Sequence, residues 1–278
     1  MKKGILFTTV SLCWVTMAIG QQGKLDKSKN SLSTKTRATT SRTVSNSNGS
    51  SSDDNSNSFA EDIALFFVQI AGYTAYGIVG ESPWEVDRPM HTADFSPYTY
   101  YKNGQGEYSL TDGDTIQTVR FDLNYNFLRE SSKFNGHQLR FETRFARRFG
   151  VALSYLNFVE DSPNLDEDNL SIVSAMANYY RIRTEKMSLW WGLGATHVGS
   201  GVDATGFSYQ IGARVFVLDP ISLESSFKGS FINDETLNQF RVLGKYHYSN
   251  YWLSAGYEHF KLGAPTASMF SVGVGVSF

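Results

Sequence analysis

From Thr118 to the last residue, apolar and polar positions alternate with a period of two, and short polar breaks interrupt the alternation at intervals. Side chains of a strand point to opposite faces in turn. The pattern therefore predicts about ten strands, at 118–128, 137–146, 151–160, 169–182, 187–199, 205–217, 221–232, 237–248, 251–262 and 267–278. In the second of these, Leu139, Phe141, Thr143 and Phe145 share one face, while Gln138, Arg140, Glu142 and Arg144 share the other. The same parity sets Phe121, Leu123 and Tyr125 against Arg120, Asp122 and Asn124, and Phe207, Ile211 and Val215 against Ser208, Gln210 and Arg214. It also sets Leu223 and Phe227 against Glu224 and Lys228, Phe240 and Val242 against Arg241 and Lys245, and Tyr257 against Glu258. Alternation of this kind suits a soluble sandwich as well as a barrel in lipid.

The carboxyl terminus separates the two. Ser271-Val272-Gly273-Val274-Gly275-Val276-Ser277-Phe278 ends on a hydrophobic strand position at the extreme terminus, where a soluble domain frays unless tied down. A closed barrel, by contrast, needs its last strand to zip onto its first. The chain resembles bacterial, Gram-negative outer-membrane β-barrel proteins, and the resemblance covers about the last 160 residues without fixing a subfamily. It implies that the terminal strand with Phe278 is the assembly signal read by the barrel-insertion machinery. It also implies that outer-membrane lipid and lipopolysaccharide surround the strands. Phe270, Val272, Val274, Val276 and Phe278 would then face lipid, and every charged face must look inward, because an arginine or lysine at the lipid midplane costs about 2–4 kcal/mol.

Two further patterns bear on topology. Connections at 147–150, 183–186, 218–220 and 249–250 are short, and those at 129–136, 160–168 and 199–204 are generally longer, as expected of periplasmic turns and external loops. Tyr179, Tyr180, Trp190, Trp191, Tyr246, Tyr248, Tyr251 and Trp252 gather at the expected periplasmic strand ends, where an interfacial girdle belongs. This orientation puts the carboxyl terminus and the leader in the periplasm.

Ahead of the strands the chain divides into three parts. Residues 1–20 read as a signal peptide: Lys2 and Lys3, an apolar run, then Ala18-Ile19-Gly20 as a small-x-small cleavage site. Residues 21–58 are rich in Ser, Thr and Asn and poor in large apolar side chains, the composition of a disordered periplasmic leader. Residues 59–117 form a pre-barrel segment. In it, an uncharged apolar stretch at 63–80 follows Glu61 and Asp62, acids suited to a helix N-terminus, and an irregular aromatic-rich part runs from Trp84 to Tyr108. The expected fold is thus all-β: a closed antiparallel transmembrane barrel of about ten strands over 118–278, preceded by a short apolar helix and a disordered leader.

Charge and cysteine content narrow the function classes. The formal net charge is −2, and loss of Lys2 and Lys3 makes it more negative by two units, which gives no basis for nucleic-acid binding. Cys13, the single cysteine, lies in the signal peptide, so a mature chain has no disulfide and no lipid-anchor thiol. No phosphate-binding loop, zinc spacing or nucleophile-elbow motif occurs, and neither cofactor nor metal is implied. His137, His197 and His259 share the lipid-facing parity and do not converge as an enzymatic centre would require, while the acidic loop 160–168 lacks calcium-loop spacing and reads as solvated. What remains is a charged lumen of Arg120, Asp122, Arg140, Glu142, Arg144, Arg214, Glu224, Lys228, Arg241, Lys245 and Glu258. In a small barrel such charges are expected to pair and fill the interior, giving a structural or binding protein. A narrow anion channel and an enzyme acting on lipid or peptide at the outer rim are the alternatives.

Overall fold

Ten antiparallel strands close on themselves in the computed structural model, which describes residues 23–34, 94–101, 106–109, 118–145, 148–161, 168–184 and 186–278. Before the barrel come a helix, α1 (Lys24–Ser33), and a two-residue ladder of β1 (Asp94–Phe95) with β2 (Tyr108–Ser109). The barrel strands are β3 (Val119–Arg129), β4 (Phe134–Phe145), β5 (Phe149–Glu160), β6 (Asp168–Arg183), β7 (Met187–Val198), β8 (Ala204–Leu218), β9 (Ile221–Ile232), β10 (Glu235–Tyr248), β11 (Tyr251–Leu262) and β12 (Thr266–Ser277). All the expected strands are present, with their ends displaced by a few residues.

Large apolar side chains are exposed on every one of the ten strands, Phe207 at 49%, Val274 at 54% and Phe270 at 60% among them. Water-soluble surfaces rarely carry an apolar patch of that extent. Strands of 11 to 16 residues also match or exceed the roughly 9–11 needed to cross a hydrocarbon layer at the usual tilt. The outside is therefore a lipid-facing belt. The seam is closed by β12 on β3, and Phe278 adds to it: its N–H donates to the Phe121 carbonyl at 2.9 Å, the Phe121 N–H donates back at 2.8 Å, and the two rings stack at 5.9 Å. Closure leaves the barrel no sheet edge for a second chain to extend.

Val119 and Phe278 mark one end of the barrel, here the terminal end. At the opposite end the lumen is apolar, lined by Leu128, Phe158, Leu170, Phe260, Leu262 and Met269, and α1 sits in that mouth with Leu25 and Leu32 fully buried. The two leucines are seven apart, two helical turns, with buried Ser28 between them on the same face. No side chain within the helix caps its N-terminus; instead the Glu160 carboxylate accepts from the N–H groups of Lys24 at 3.0 Å and Leu25 at 2.8 Å. A carboxylate there satisfies orphan donors and complements the helix dipole. A Cβ at Gly23 would come 2.9 Å from that carboxylate, so a side chain there would push the Glu160 carboxylate aside. Lys24 pairs with Glu130 at 2.6 Å, Lys29 with Asp168, and Asn233 donates to the Leu32 carbonyl at 2.5 Å.

Several expectations change here. Residues 24–33, within the stretch read as disordered, form a helix because the barrel mouth supplies the apolar surface and the carboxylate cap that the segment lacks on its own. Glu160 and Asp168, read as flanks of a solvated loop, are its partners. The leader and the carboxyl terminus are expected on one side, yet α1 and Phe278 occupy opposite ends. The loop contrast is also weaker than expected, since 233–234 at the α1 end is as short as 219–220 or 249–250. Adjacent aromatics divide between faces by parity: Tyr246, Tyr248 and Tyr251 face out, whereas Tyr180, Trp190 and Trp252 are buried inside. The apolar stretch 63–80, the signal peptide and the rest of the leader lie outside the described residues.

Replacing Glu160 with Ala removes both cap bonds from α1. Loss of two charge-assisted hydrogen bonds, about 2 kcal/mol, shifts the docked-to-undocked ratio roughly thirtyfold. The measurement is disulfide formation between Ser31→Cys and Ala264→Cys, whose parent residues meet at 3.1 Å; it should fall sharply in the Glu160→Ala background and stay high without that change.

Candidate functional site in the barrel lumen

Register decides which charges meet. Between β3 and β4, Arg120 lies directly opposite Arg144 and Asp122 opposite Glu142, so like faces like at both rungs. The pairs form along the diagonal and along the strand instead. Arg144 reaches Asp122 at 2.9 Å, Arg120 Nε bonds Asp122 at 3.0 Å, and Ser277 from the closing strand donates to Asp122 at 2.5 Å. Across β8 and β9, Arg214 and Glu224 are true opposites, bonded at 2.6 and 2.9 Å. Glu224 also takes Arg241 at 2.6 Å and Lys245 at 2.7 Å.

This arrangement leaves more cation than carboxylate at the terminal end, and a residue from outside the barrel strands restores the balance. Glu107, beside β2 and 1% exposed, accepts from Arg144 at 2.6 Å and from Arg214, with Arg120 at 3.8 Å. Burial by itself would raise the Glu107 pKa, but Arg144, Arg214 and Arg120 together hold it well below the usual carboxylate range. The segment carrying it is anchored on both sides of the ladder. Phe95 and Tyr108 pack together at 5.5 Å, with the Arg144 guanidinium 5.8 Å over the Phe95 ring. Tyr100, at a positive φ of 65°, donates to the Ile221 carbonyl at 2.6 Å and lies edge-on to Phe216 and His247. Burial, then the Asp219 and Glu107 charges, push the Tyr100 hydroxyl up to about 12, so it is a donor at every physiological pH.

The eleven residues expected in the lumen all point inward, and they divide into two groups. Arg120, Asp122, Glu142, Arg144, Arg214, Glu224 and Lys245 join the network around Glu107, with Tyr180 donating to Glu142. Arg140, Lys228 and Glu258 lie nearer the middle, and Arg241 connects the two groups. There Lys228 donates to Ser174 at 2.9 Å, Glu258 accepts from Gln239 at 2.8 Å, and Ser174, Thr196, Ser208 and Ser230 form a run of hydroxyl contacts of 2.7 to 2.9 Å. Two cavities between these layers measure about 10 and 20 Å³, each enough for about one water.

Glu107 is not among the expected lumen residues, since it sits outside the periodic strands. The available signal is the surplus of inward cations over carboxylates, which demands an anion from elsewhere. The three outward histidines each meet a hydroxyl on the neighbouring strand: His137 with Tyr125 at 2.7 Å, His197 with Thr205 at 2.9 Å, and His259 with Ser268 at 2.9 Å. They lie on three different strands and do not converge. His247, on the inner face, bonds Ser222 at 2.7 Å.

No family model and no curated protein matches the chain. Among the solved structures to which it is similar are outer-membrane β-barrel proteins. They include a KdgM porin, 14% identical over 56% of this chain and 99% of that one, with a TM-score of 0.36. Others are the outer-membrane protein Ail of Yersinia pestis, 18% identical over 58% and 98% with a TM-score of 0.33, and the N-terminal barrel domain of Pseudomonas aeruginosa OprF, 13% identical over 58% and 98% with a TM-score of 0.30.

Glu107→Gln leaves Arg144 and Arg214 buried with a neutral partner. Breaking a buried pair in this way costs about 3–5 kcal/mol. The refolded variant should unfold at a clearly lower urea concentration or temperature than the parent, read from the mobility shift between folded and heated samples.

Proposed function

We propose that the chain is a small outer-membrane barrel with a structural or binding role, whose lumen is packed and does not conduct. The observation that carries this reading is closure by two different means: an apolar plug around α1 at one end and the charge network around Glu107 at the other. Among the described residues, the cavities between them, of about 10 and 20 Å³, are too small to make a path for hydrated ions. An outer-membrane address is supported by the lipid-facing belt, the strand closure at Phe278 and the basic-then-apolar beginning of the chain. With Phe278 on the periplasmic side, α1 would cover the outer mouth, and binding would fall to the exterior surfaces and loops at that mouth.

Planar-bilayer recording of the refolded full chain tests the sealed lumen. The expected trace is silent at moderate voltage, whereas reproducible conductance steps would replace this reading with the narrow-channel one. As an assembly signal, Phe278 acts during insertion more than afterwards. Its deletion should reduce the amount of barrel in the membrane severalfold while shifting the melting of the assembled fraction only slightly; membrane levels equal to those of the parent would remove that role.

A further inference from the structure

Midway along the lumen, Arg140, Lys228 and Arg241 face one cavity, whose other walls include Ser154, Gln210 and Ser226 and, among the described residues, no carboxylate. The three cations are poorly matched by the anions near them. Arg241 is 1% exposed and commits Nη2 to Glu224, while its Nε, also buried, has no hydrogen-bond partner among the described residues. Arg140 lies 3.6 Å from Glu142, and its buried Nη2 makes no hydrogen bond among the described residues. Lys228 donates to the Ser174 hydroxyl at 2.9 Å. Glu224, which Arg241 does reach, is already shared with Arg214 and Lys245. Glu258, the carboxylate of the same middle group, accepts from Gln239 at 2.8 Å and does not line the cavity, so the three like charges that enclose the space have no counter-charge within it.

We infer that this cavity is a binding site for a single small anion of halide size, held by the Arg140 and Arg241 guanidiniums and the Lys228 ammonium. The donors suit an anion: guanidinium N–H groups, an ammonium, the Gln210 amide and two serine hydroxyls surround the space. Its size selects among anions. The space, about 10 Å³, has room for one solvent-sized species, which suits a monatomic anion and excludes phosphate, sulfate and sugar acids. The plug around α1 and the Glu107 network close both approaches, so the ion is a fixed structural component rather than a permeant one. Binding itself needs only the residues that line the cavity, so ion binding and conductance are separate outcomes.

The test uses the full chain refolded in a zwitterionic detergent at fixed ionic strength. Crystals grown in sodium bromide should show an anomalous peak between Arg140, Lys228 and Arg241; an empty cavity overturns the proposal. In parallel, the unfolding midpoint of the parent should be about 3 °C higher in chloride than in gluconate, as expected of an ion bound well above its dissociation constant. Lys228→Met, which removes one charge while keeping the length of the side chain, should fold and lose that difference. Equal midpoints for the parent in the two salts, or an unchanged chloride effect in Lys228→Met, would show that the cavity binds no ion. If Lys228→Met does not fold, Lys228→Gln takes its place with the same two outcomes.

Discussion

A charged side chain inside a lipid-embedded tube has nowhere to find water, and most of the architecture follows from meeting that constraint. Lipid outside forces the arginines and lysines along the middle of the strands inward, while Arg129 and Lys261 stay exposed at strand ends on the α1 side. Inside, each must meet a carboxylate or a hydrogen-bond acceptor, or bear a desolvation cost of several kcal/mol. β3 and β4 make this harder, because their register sets Arg120 against Arg144 and Asp122 against Glu142. The remedy is geometric. Arg144 bonds diagonally to Asp122, Ser277 from the closing strand joins them, and Glu107 enters from a separate segment to take Arg144 and Arg214 together. Barrel closure and charge neutralisation are thereby linked, since β12 carries both the seam with β3 and one of the bonds to Asp122.

The two mouths are closed by unlike chemistry. At the terminal end the seal is electrostatic and aromatic, with guanidiniums stacked near Phe95, Tyr180 and Trp190. At the α1 end it is apolar, and the helix is held by contacts that each depend on a single rim residue: Glu160, Glu130, Asp168, Asn233. A ten-residue helix has little stability of its own. Its presence reflects the mouth it fills, and a perturbation of the rim acts on it directly. The electrostatic seal concentrates its dependence instead, because Glu107, Asp122 and Glu224 each hold more than one buried cation.

Alternation makes the facing of the lumen charges legible from the order of residues alone. Arg120, Arg140, Glu142, Arg144, Arg214, Glu224, Lys228, Arg241 and Lys245 take the inner face because strand parity has only two values and lipid forbids one of them for charge. The same parity explains why the expected aromatic girdle is only half present: Tyr180 and Trp190 share a position along the barrel with their outward neighbours, but consecutive residues of a strand must face opposite ways. Neither the Glu107 network nor the α1 plug has a periodic signature. Glu107 lies in an irregular segment, and Leu25 and Leu32 are two isolated apolar residues in a polar stretch.

Strand number, the face of each strand side chain, the closing role of the last strand and the surplus of positive charge in the lumen are all written in the order of residues, because they follow from a period of two and the cost of charge in lipid. Folding in three dimensions settles the rest: which charges pair, that Glu107 supplies the missing carboxylate, that α1 fills the mouth opposite the terminus, and that Arg140, Lys228 and Arg241 enclose a cavity without an anion of the strands. Those features arise from contacts between residues far apart in the chain, set by register and curvature, and no local pattern of residues encodes a distance across a lumen.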